Sequence, residues 1–362
     1  MTDFEKYDVA FRKNDMCAFN GDPLGLLWLK VRAISRTKIM EAFLSGNSIE
    51  LSSKTVSGRA KELYAILVQR ADSIEMLDRF LRVKCHEWYD SQGIDENKVK
   101  DNLYKVRHYE WGGDYTNSLD KYLVGRYVKA VRDYDTLVEQ KGEIASNAWS
   151  YVQASWYNNW TSYLIESLFK THSRVVPSVG EIKNVDFFIG GIPLDLKVTY
   201  FPKQLMDEKL KLKLGKKELP WLASKAKELG VFANKDLSDA QKLYVLREKL
   251  CECGYSEVVD SLNAAKRKTV KDAESGKREL ITWLYSNQGE MRFGAENRIY
   301  LILVDLSDMD NSWKMKRAFS VLEPRINEYL DSFDENKLEK VDFTFKNSDY
   351  KSYSDALFVI KE

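Results

Sequence analysis

The sequence predicts an α/β (α+β) protein in which a mixed sheet flanked by helices follows a large helical N-terminal region. Residues 1 to about 150 carry apolar residues mostly at helical spacing. The segment 175–201 is rich in β-branched and aromatic residues and is punctuated by glycine, as strands and their turns are. The run RIYLILVDL at 298–306 is almost continuously apolar, which is typical of a strand covered on both faces. Strands separated by helical segments indicate an α/β or α+β arrangement.

Three segments before the first predicted strand are expected to form long helices, because apolar residues recur in them every three or four positions. These segments span 62–90, 118–140 and about 146–171. We therefore predict a helical N-terminal region at 1–145 and a second domain at 146–362.

The second domain is predicted to contain a charged helical insertion at about 203–290, between its first and later strands. After the apolar run, a helix is expected at about 311–332. Two further strands are expected at 341–345 and 356–360, where short apolar or alternating runs return.

The composition sets broad limits on function. The chain has 362 residues, of which 44% are hydrophobic, enough for a well-buried core. Its formal net charge is only +1, so the total charge gives no sign of a nucleic-acid partner and any basic surface must be local. Four cysteines form no regular framework, which suggests a reducing compartment. The N-terminus lacks a signal-peptide pattern and no stretch reaches about 18 apolar residues. We expect a cytoplasmic protein without a membrane partner.

Two kinds of site are not supported by the sequence. Cys251 and Cys253 lie close together, but all histidines are far from them in sequence, whereas a structural zinc site needs about four ligands. A serine or cysteine hydrolase would need a histidine base, and no motif supplies one.

The most informative segment is VDFFIGGIPLDLKV. Gly190 and Gly191 separate two apolar runs, which predicts a two-residue hairpin turn because primed turns need positive φ. Paired residues then sum to 381, so Asp186 faces Asp195. Lys197 lies two residues beyond Asp195 and therefore points to the same side of the sheet. The spacing predicts two adjacent carboxylates with an ammonium beside them.

Such an arrangement is costly unless it has a function. Like charges directly opposite one another destabilise a sheet, and apolar neighbours increase that cost by removing water. A divalent cation relieves the repulsion, and oxygen ligands suit Mg²⁺. A bound ion can polarise a phosphoryl oxygen and lower the pKa of a bound water. Lys197 could then orient that water, act as its base, or stabilise the developing charge.

This pattern resembles the PD-(D/E)xK nuclease superfamily, which includes many restriction endonucleases and repair nucleases. Asp186 matches the first acidic ligand of the family, although Val185 replaces the usual preceding proline. Asp195, Leu196 and Lys197 match the (D/E)xK element. The resemblance covers roughly residues 155–205.

The resemblance implies two further metal ligands. Many members add a glutamate from the helix before the first core strand, and Glu166 matches that position. The backbone carbonyl of Leu196 would be another ligand. The implied fold is a restriction-endonuclease-like mixed sheet, with RIYLILVDL as a later core strand.

The implied activity is that of a Mg²⁺-dependent endonuclease, with Mn²⁺ as a substitute, acting on double-stranded DNA in restriction or phage defence. A homodimer is the family-level expectation for enzymes that cut both strands. Residues 1–145 would then serve DNA recognition or dimerisation. Alternatives are a structure-specific or RNA-directed nuclease, and a catalytically inactive nucleic-acid-binding protein of the same fold.

Some features have competing interpretations. The tripeptide recurs elsewhere, for example at Asp349–Lys351, but those copies are expected to lack an apolar strand, an upstream hairpin partner, or both. Glu181 and Lys183 form a competing copy within the strand region, as a catalytic pair or an accessory acidic site. The hairpin could also be a surface element in which Lys197 merely neutralises two aspartates.

Candidate substrate contacts are equally open. The lysine-rich stretches 209–217 and 266–271, and the stretch 29–38, could bind phosphates or be solvated helix faces. One aromatic run either stacks on bases or packs its helix onto the sheet; its members are Trp149, Tyr151, Trp156, Tyr157, Trp160 and Tyr163.

Overall fold

A mixed β-sheet forms the centre of the protein. The computed structural model describes residues 1–109, 118–180, 182, 184–287, 296–345 and 348–362. Within them lie the strands β1 (Val175–Pro177), β2 (Phe187–Ile189), β3 (Ile192–Tyr200), β4 (Arg298–Asp305), β5 (Glu339–Phe345) and β6 (Ser348–Lys361). Their order is β1-β2-β3-β4-β6-β5, with β3, β4 and β6 parallel and the other pairs antiparallel. The predicted α/β class and mixed sheet are confirmed.

Helices precede, interrupt and follow the strands. Before β1 lie α1 (Asp3–Arg12), α2 (Pro23–Ala33), α3 (Thr37–Gly46), α4 (Val56–Val68), α5 (Ser73–Ser91), α6 (Glu96–Leu103), α7 (Leu119–Leu123), α8 (Tyr134–Glu139) and α9 (Lys141–Lys170). Between β3 and β4 lie α10 (Lys203–Leu214), α11 (Glu218–Glu228), α12 (Asp239–Glu252), α13 (Ser256–Ser275) and α14 (Lys277–Asn287), and α15 (Phe319–Asp331) follows β4. The predicted helical N-terminal region and helical insertion are therefore present.

Two predicted long helices in the N-terminal region are in fact broken. The segment 62–90 falls into α4 and α5, and the break lets both helices pack against α2. The segment 118–140 contains two short helices joined by a π-turn, because Asp133 caps α8 by accepting the backbone N–H of Thr136 at 2.8 Å. The cap therefore starts a new helix at Tyr134, where the apolar spacing alone predicts one continuous helix.

The third predicted helix and the later elements differ mainly in their bounds. α9 begins five residues before the predicted 146, so the predicted division between 145 and 146 lies inside a helix and stays a prediction. The predicted helix 311–332 is a 3₁₀-helix (Met309–Arg317) followed by α15, separated by the non-helical Ala318. The predicted strand at 356–360 is the last part of the longer β6.

Strand β4 is buried over its whole length, as its apolar run predicts. Its alternate side chains enter two different cores. Ile299, Leu301 and Leu303 pack with α9 and α15 on one face of the sheet. Tyr300, Ile302 and Val304 pack with α10 to α14 on the other face. The helical insertion is therefore a cover for one side of the sheet.

A third core joins the N-terminal helices to the hairpin end of the sheet. Phe188 of β2 packs among residues from α1 to α5. Phe188 pairs with Pro193, and Pro193 shares a face with Asp195, whose partner on β4 is Arg298. The N-terminal helices and the insertion therefore cover opposite ends of the same sheet face, and Asp195 lies between them.

The predicted hairpin is confirmed residue by residue. Phe187 pairs with Leu194 and Ile189 with Ile192, so paired numbers sum to 381. Gly190 and Gly191 have φ of 56° and 80°, a backbone conformation that residues with a Cβ rarely adopt.

Gly190→Ala should lower the free energy of unfolding by about 1–2 kcal/mol, the cost of a left-handed L-residue. The new Cβ would also lie 2.2 Å from Oε2 of Glu335, so that carboxylate must move. Urea denaturation measures the change. Gly142→Ala is the control, because this glycine lies in α9 with nothing within 4 Å of an added Cβ. Gly142→Ala should be neutral or slightly stabilising. Equal stability of the two variants would contradict the turn argument.

Candidate active site

Strand β3 changes its pairing partner at Asp195. Residues 192–194 pair with β2, whereas residues 195–200 pair with β4. The Asp195 N–H donates to the carbonyl of Asn297 on the β4 side at 2.9 Å. Successive backbone groups of a strand point to opposite edges, so the N–H and carbonyl of Leu196 face the other edge. There the Leu196 N–H donates to Oδ2 of Asp186 at 2.9 Å.

Asp186 lies one residue before the last register pair of the hairpin, Phe187 with Leu194. Its N–H donates to the carbonyl of Leu194 at 2.9 Å, and its carbonyl accepts the N–H of Ser178 at 2.9 Å. These bonds hold Asp186 beside the start of the β3–β4 pairing, close enough to Asp195 for the two carboxylates to interact, although the two residues are not a register pair. Burial, with the Asp195 carboxylate as second cause, raises the pKa of Asp186 to about 6.

Lys197 shares the sheet face of Asp195, two residues further along β3. Burial lowers the pKa of the Lys197 amine, and the carboxylate of Asp195 opposes that shift. The structure therefore brings together the three hairpin residues that the sequence singled out. A half-buried amine near two carboxylates is chemically suited to hold a water molecule or exchange a proton with it.

Arg298 is a site residue that the sequence reasoning missed. It is 2% exposed, and its Nε donates to Oδ2 of Asp195 at 3.0 Å. Its Nη2 donates to Oε2 of Glu296 at 2.7 Å, and its guanidinium lies 5.2 Å from the ring centre of Tyr285. Burial raises the pKa of Asp195, although the charge of Arg298 opposes the shift. The available signal was an arginine at the start of an otherwise apolar strand.

Glu166 lies on α9, on the wall of a cavity of about 640 Å³ that Asp186 also lines. Its Oε2 accepts from Nζ of Lys170 at 2.9 Å, and its side chain is 40% exposed. Burial and the charge of Asp195 are larger causes of the raised pKa of Asp186, and the charge of Glu166 adds to them. Glu166 therefore lies close enough to Asp186 to interact with it electrostatically. The structure places Glu166 beside the site, while its role as a ligand stays a prediction.

The structure provides fewer oxygen donors than a full coordination shell, and those donors fit Mg²⁺. Among the described residues, no three acidic, histidine or cysteine side chains form a group that could hold a metal ion. Asp186, Asp195 and the carbonyl of Leu196 still provide oxygen donors on one side of β3. Mg²⁺ is commonly held by one or two carboxylates and keeps several waters. These donors match that coordination, and Mn²⁺ is bound by the same kinds of oxygen ligand.

Several residues predicted to contact phosphates form ion pairs within the protein. In the lysine-rich stretches, the pairs are Lys209 with Glu279, Lys213 with Asp272 and the buried Lys266 with Glu218. In the stretch 29–38, Lys30 is buried and paired with Asp78. Glu181 and Lys183 lie outside the described residues.

The aromatic run on α9 divides between packing and surface. Tyr157 is fully buried and its hydroxyl donates to the carbonyl of Trp313 at 2.9 Å. Trp149 is 64% exposed, and Tyr163 lines the cavity beside Asp186. Packing therefore accounts for part of the run only.

Comparisons with protein-family models, with curated proteins and with solved structures found no match. In the described ranges, the helices are all too short or too polar to cross a membrane. The functional interpretation therefore depends on the arrangement of the side chains around β3.

Asp186→Asn should stabilise the metal-free protein at pH 7. An acid whose pKa is raised to about 6 on folding binds more protons in the folded state, so stability falls as pH rises from about 4 to 6. Asparagine keeps an acceptor for the Leu196 N–H and removes the charge. The expected gain is up to about 3 kcal/mol at pH 7, and it should vanish near pH 4.

Denaturation of wild type and variant at both pH values, in EDTA, measures this difference. Asp260→Asn is the control, because Asp260 is exposed on α13. A stability gain for Asp186→Asn that is the same at pH 4 and pH 7 would count against an ionised, crowded Asp186.

Proposed function

We propose that this protein is a Mg²⁺-dependent endonuclease of the PD-(D/E)xK type that hydrolyses phosphodiester bonds of DNA. One observation carries the proposal. The Asp186 carboxylate accepts the N–H of Leu196 and interacts with the Asp195 carboxylate, and Lys197 lies on the sheet face of Asp195, at the point where β3 loses β2 as its neighbour.

The described residues divide the work in a simple way. Asp186, Asp195 and the carbonyl of Leu196 would hold the metal, and Glu166 is the candidate for a further contact. When bound, Mg²⁺ supplies charge stabilisation on a phosphoryl oxygen and a more acidic water. Lys197 holds the attacking water or receives its proton, and the lowered pKa of its amine suits that exchange.

Arg298 supports the site through Asp195. Its bond to Oδ2 fixes the orientation of that carboxylate, and its burial makes the bond strong. A carboxylate held in one orientation binds a metal without first losing rotational freedom.

The substrate and assembly are proposed from the resemblance. Double-stranded DNA in the cytoplasm, a role in restriction or phage defence, and a homodimer that cuts both strands are the family's usual pattern. Residues 1–145 would contribute DNA recognition or dimerisation. None of these follows from the hairpin geometry.

One observation favours a second candidate, a catalytically inactive nucleic-acid-binding protein. Arg298 already neutralises Asp195, which reduces the electrostatic demand for a cation at that carboxylate. The two candidates differ in a single property, metal-dependent cleavage.

Purified protein should cleave plasmid DNA with Mg²⁺ and not with EDTA. Asp195→Asn should abolish cleavage by weakening the metal site. Lys197→Ala should reduce the rate at least about 100-fold, as expected for a positioned proton-transfer or charge-stabilising group. DNA binding in gel shifts should survive in both variants, because phosphate contacts elsewhere dominate affinity.

Asp349→Asn and Lys351→Ala are matched controls, since they alter the same tripeptide in the exposed part of β6. They should cleave like wild type. A parallel assay on RNA distinguishes the RNA-directed alternative. DNA binding without cleavage of either substrate would leave the inactive binding protein as the better description.

A further inference from the structure

An aromatic cavity adjoins the candidate site. It is enclosed by α5, α9 and the chain before β2, and both Glu166 and Asp186 lie in its wall. Its volume of about 640 Å³ falls within the range of about 300–1,000 Å³ typical of small-ligand pockets. The cavity therefore has room for a group the size of a nucleotide next to the proposed metal ligands.

Three rings in mutual contact form one wall of the cavity. The ring centres of Trp88 and Tyr89 are 4.8 Å apart, and those of Tyr89 and Tyr163 are 5.3 Å apart. Trp88 is 49% exposed, although tryptophan is usually largely buried. An exposed indole held beside two half-buried rings presents a flat, rigid surface, which suits stacking on a planar ligand.

The charges in the wall suit the rest of a nucleotide. Lys170 and Arg36 contribute positive charge, and Arg36 comes from the stretch 29–38 singled out by its basic residues. Glu166 pairs with Lys170 at 2.9 Å and offsets part of that charge. Aromatic side chains beside positive charge are the usual composition of a site for single-stranded nucleic acid.

We propose that this cavity binds one unpaired nucleotide of the DNA, with the base stacked on Trp88 and the backbone near Lys170 and Arg36. The proposal rests on the proposed function, because Asp186 puts the phosphate to be cleaved at the rim of this cavity. A base inside a duplex is stacked on both sides and cannot reach such a wall. The nucleotide must come from a single-stranded end or be turned out of the duplex.

The test compares three labelled DNAs of the same sequence in EDTA: fully paired, with a single-stranded overhang, and with one unpaired internal base. Fluorescence anisotropy gives the affinities. Trp88→Ala should weaken binding of the overhang or the internal-base DNA about 5- to 100-fold, and binding of the fully paired DNA less than twofold. A 2-aminopurine at the unpaired position should be quenched by wild type and less so by Trp88→Ala.

Two further variants act as controls. Trp88→Phe keeps a ring and should retain most of the affinity. Tyr244→Ala removes a 66% exposed aromatic ring of α12 that lies outside the cavity wall, and should bind all three DNAs like wild type. Circular dichroism verifies the fold of each variant.

The outcomes separate this proposal from the proposed function. Loss confined to the overhang DNA assigns the cavity to single-stranded ends, and loss confined to the internal-base DNA assigns it to turned-out bases. Unchanged affinities for Trp88→Ala, or an equal loss for all three DNAs, overturn the cavity proposal even if wild type cleaves DNA. Selective binding through Trp88 without any Mg²⁺-dependent cleavage supports the cavity and overturns the nuclease.

Discussion

The arrangement of this protein depends on one strand that is shared between two kinds of pairing. β3 begins as the second arm of a tight antiparallel hairpin and continues as the first strand of the parallel half of the sheet. At the change of partner, a backbone N–H would be left without a strand neighbour, and the side chain of Asp186 accepts it instead. Satisfying that single donor draws one carboxylate to the edge of a strand that already carries another.

The elements that surround this change of partner determine the electrostatics of the site. Asp195 lies between two covers of the same sheet face, the N-terminal helices and the helical insertion. Both covers remove water from the charges between them, and burial is the largest cause of the shifted pKa values of Asp186, Asp195 and Lys197. Desolvated charges need partners, and Arg298 supplies one. The shifted pKa values of the cluster are therefore caused largely by elements far from it in sequence.

The sequence predicts those parts of the fold and site that depend on neighbours along the chain. The two glycines determine the turn, the turn determines the register as far as Phe187 and Leu194, and this brings the neighbouring Asp186 and Asp195 close together. Arg298 escaped prediction because its pairing with Asp195 exists only once β4 lies beside β3. The breaks in the helices could not be predicted for a related reason. Apolar spacing indicates which side of a helix is buried, whereas the break between α4 and α5 depends on how both helices pack on α2.

The separation of Asp195 and Arg298 by 103 residues has a consequence for synthesis of the chain. A ribosome adding about 5–20 residues per second needs about 5–20 seconds to pass from one to the other. The hairpin, whose contacts are local, has ample time to form in that interval, whereas β3 must wait for its parallel neighbour. The nascent protein thus carries its acidic pair without Arg298 while the whole insertion is made, and the ion pair of Asp195 is completed only late in translation.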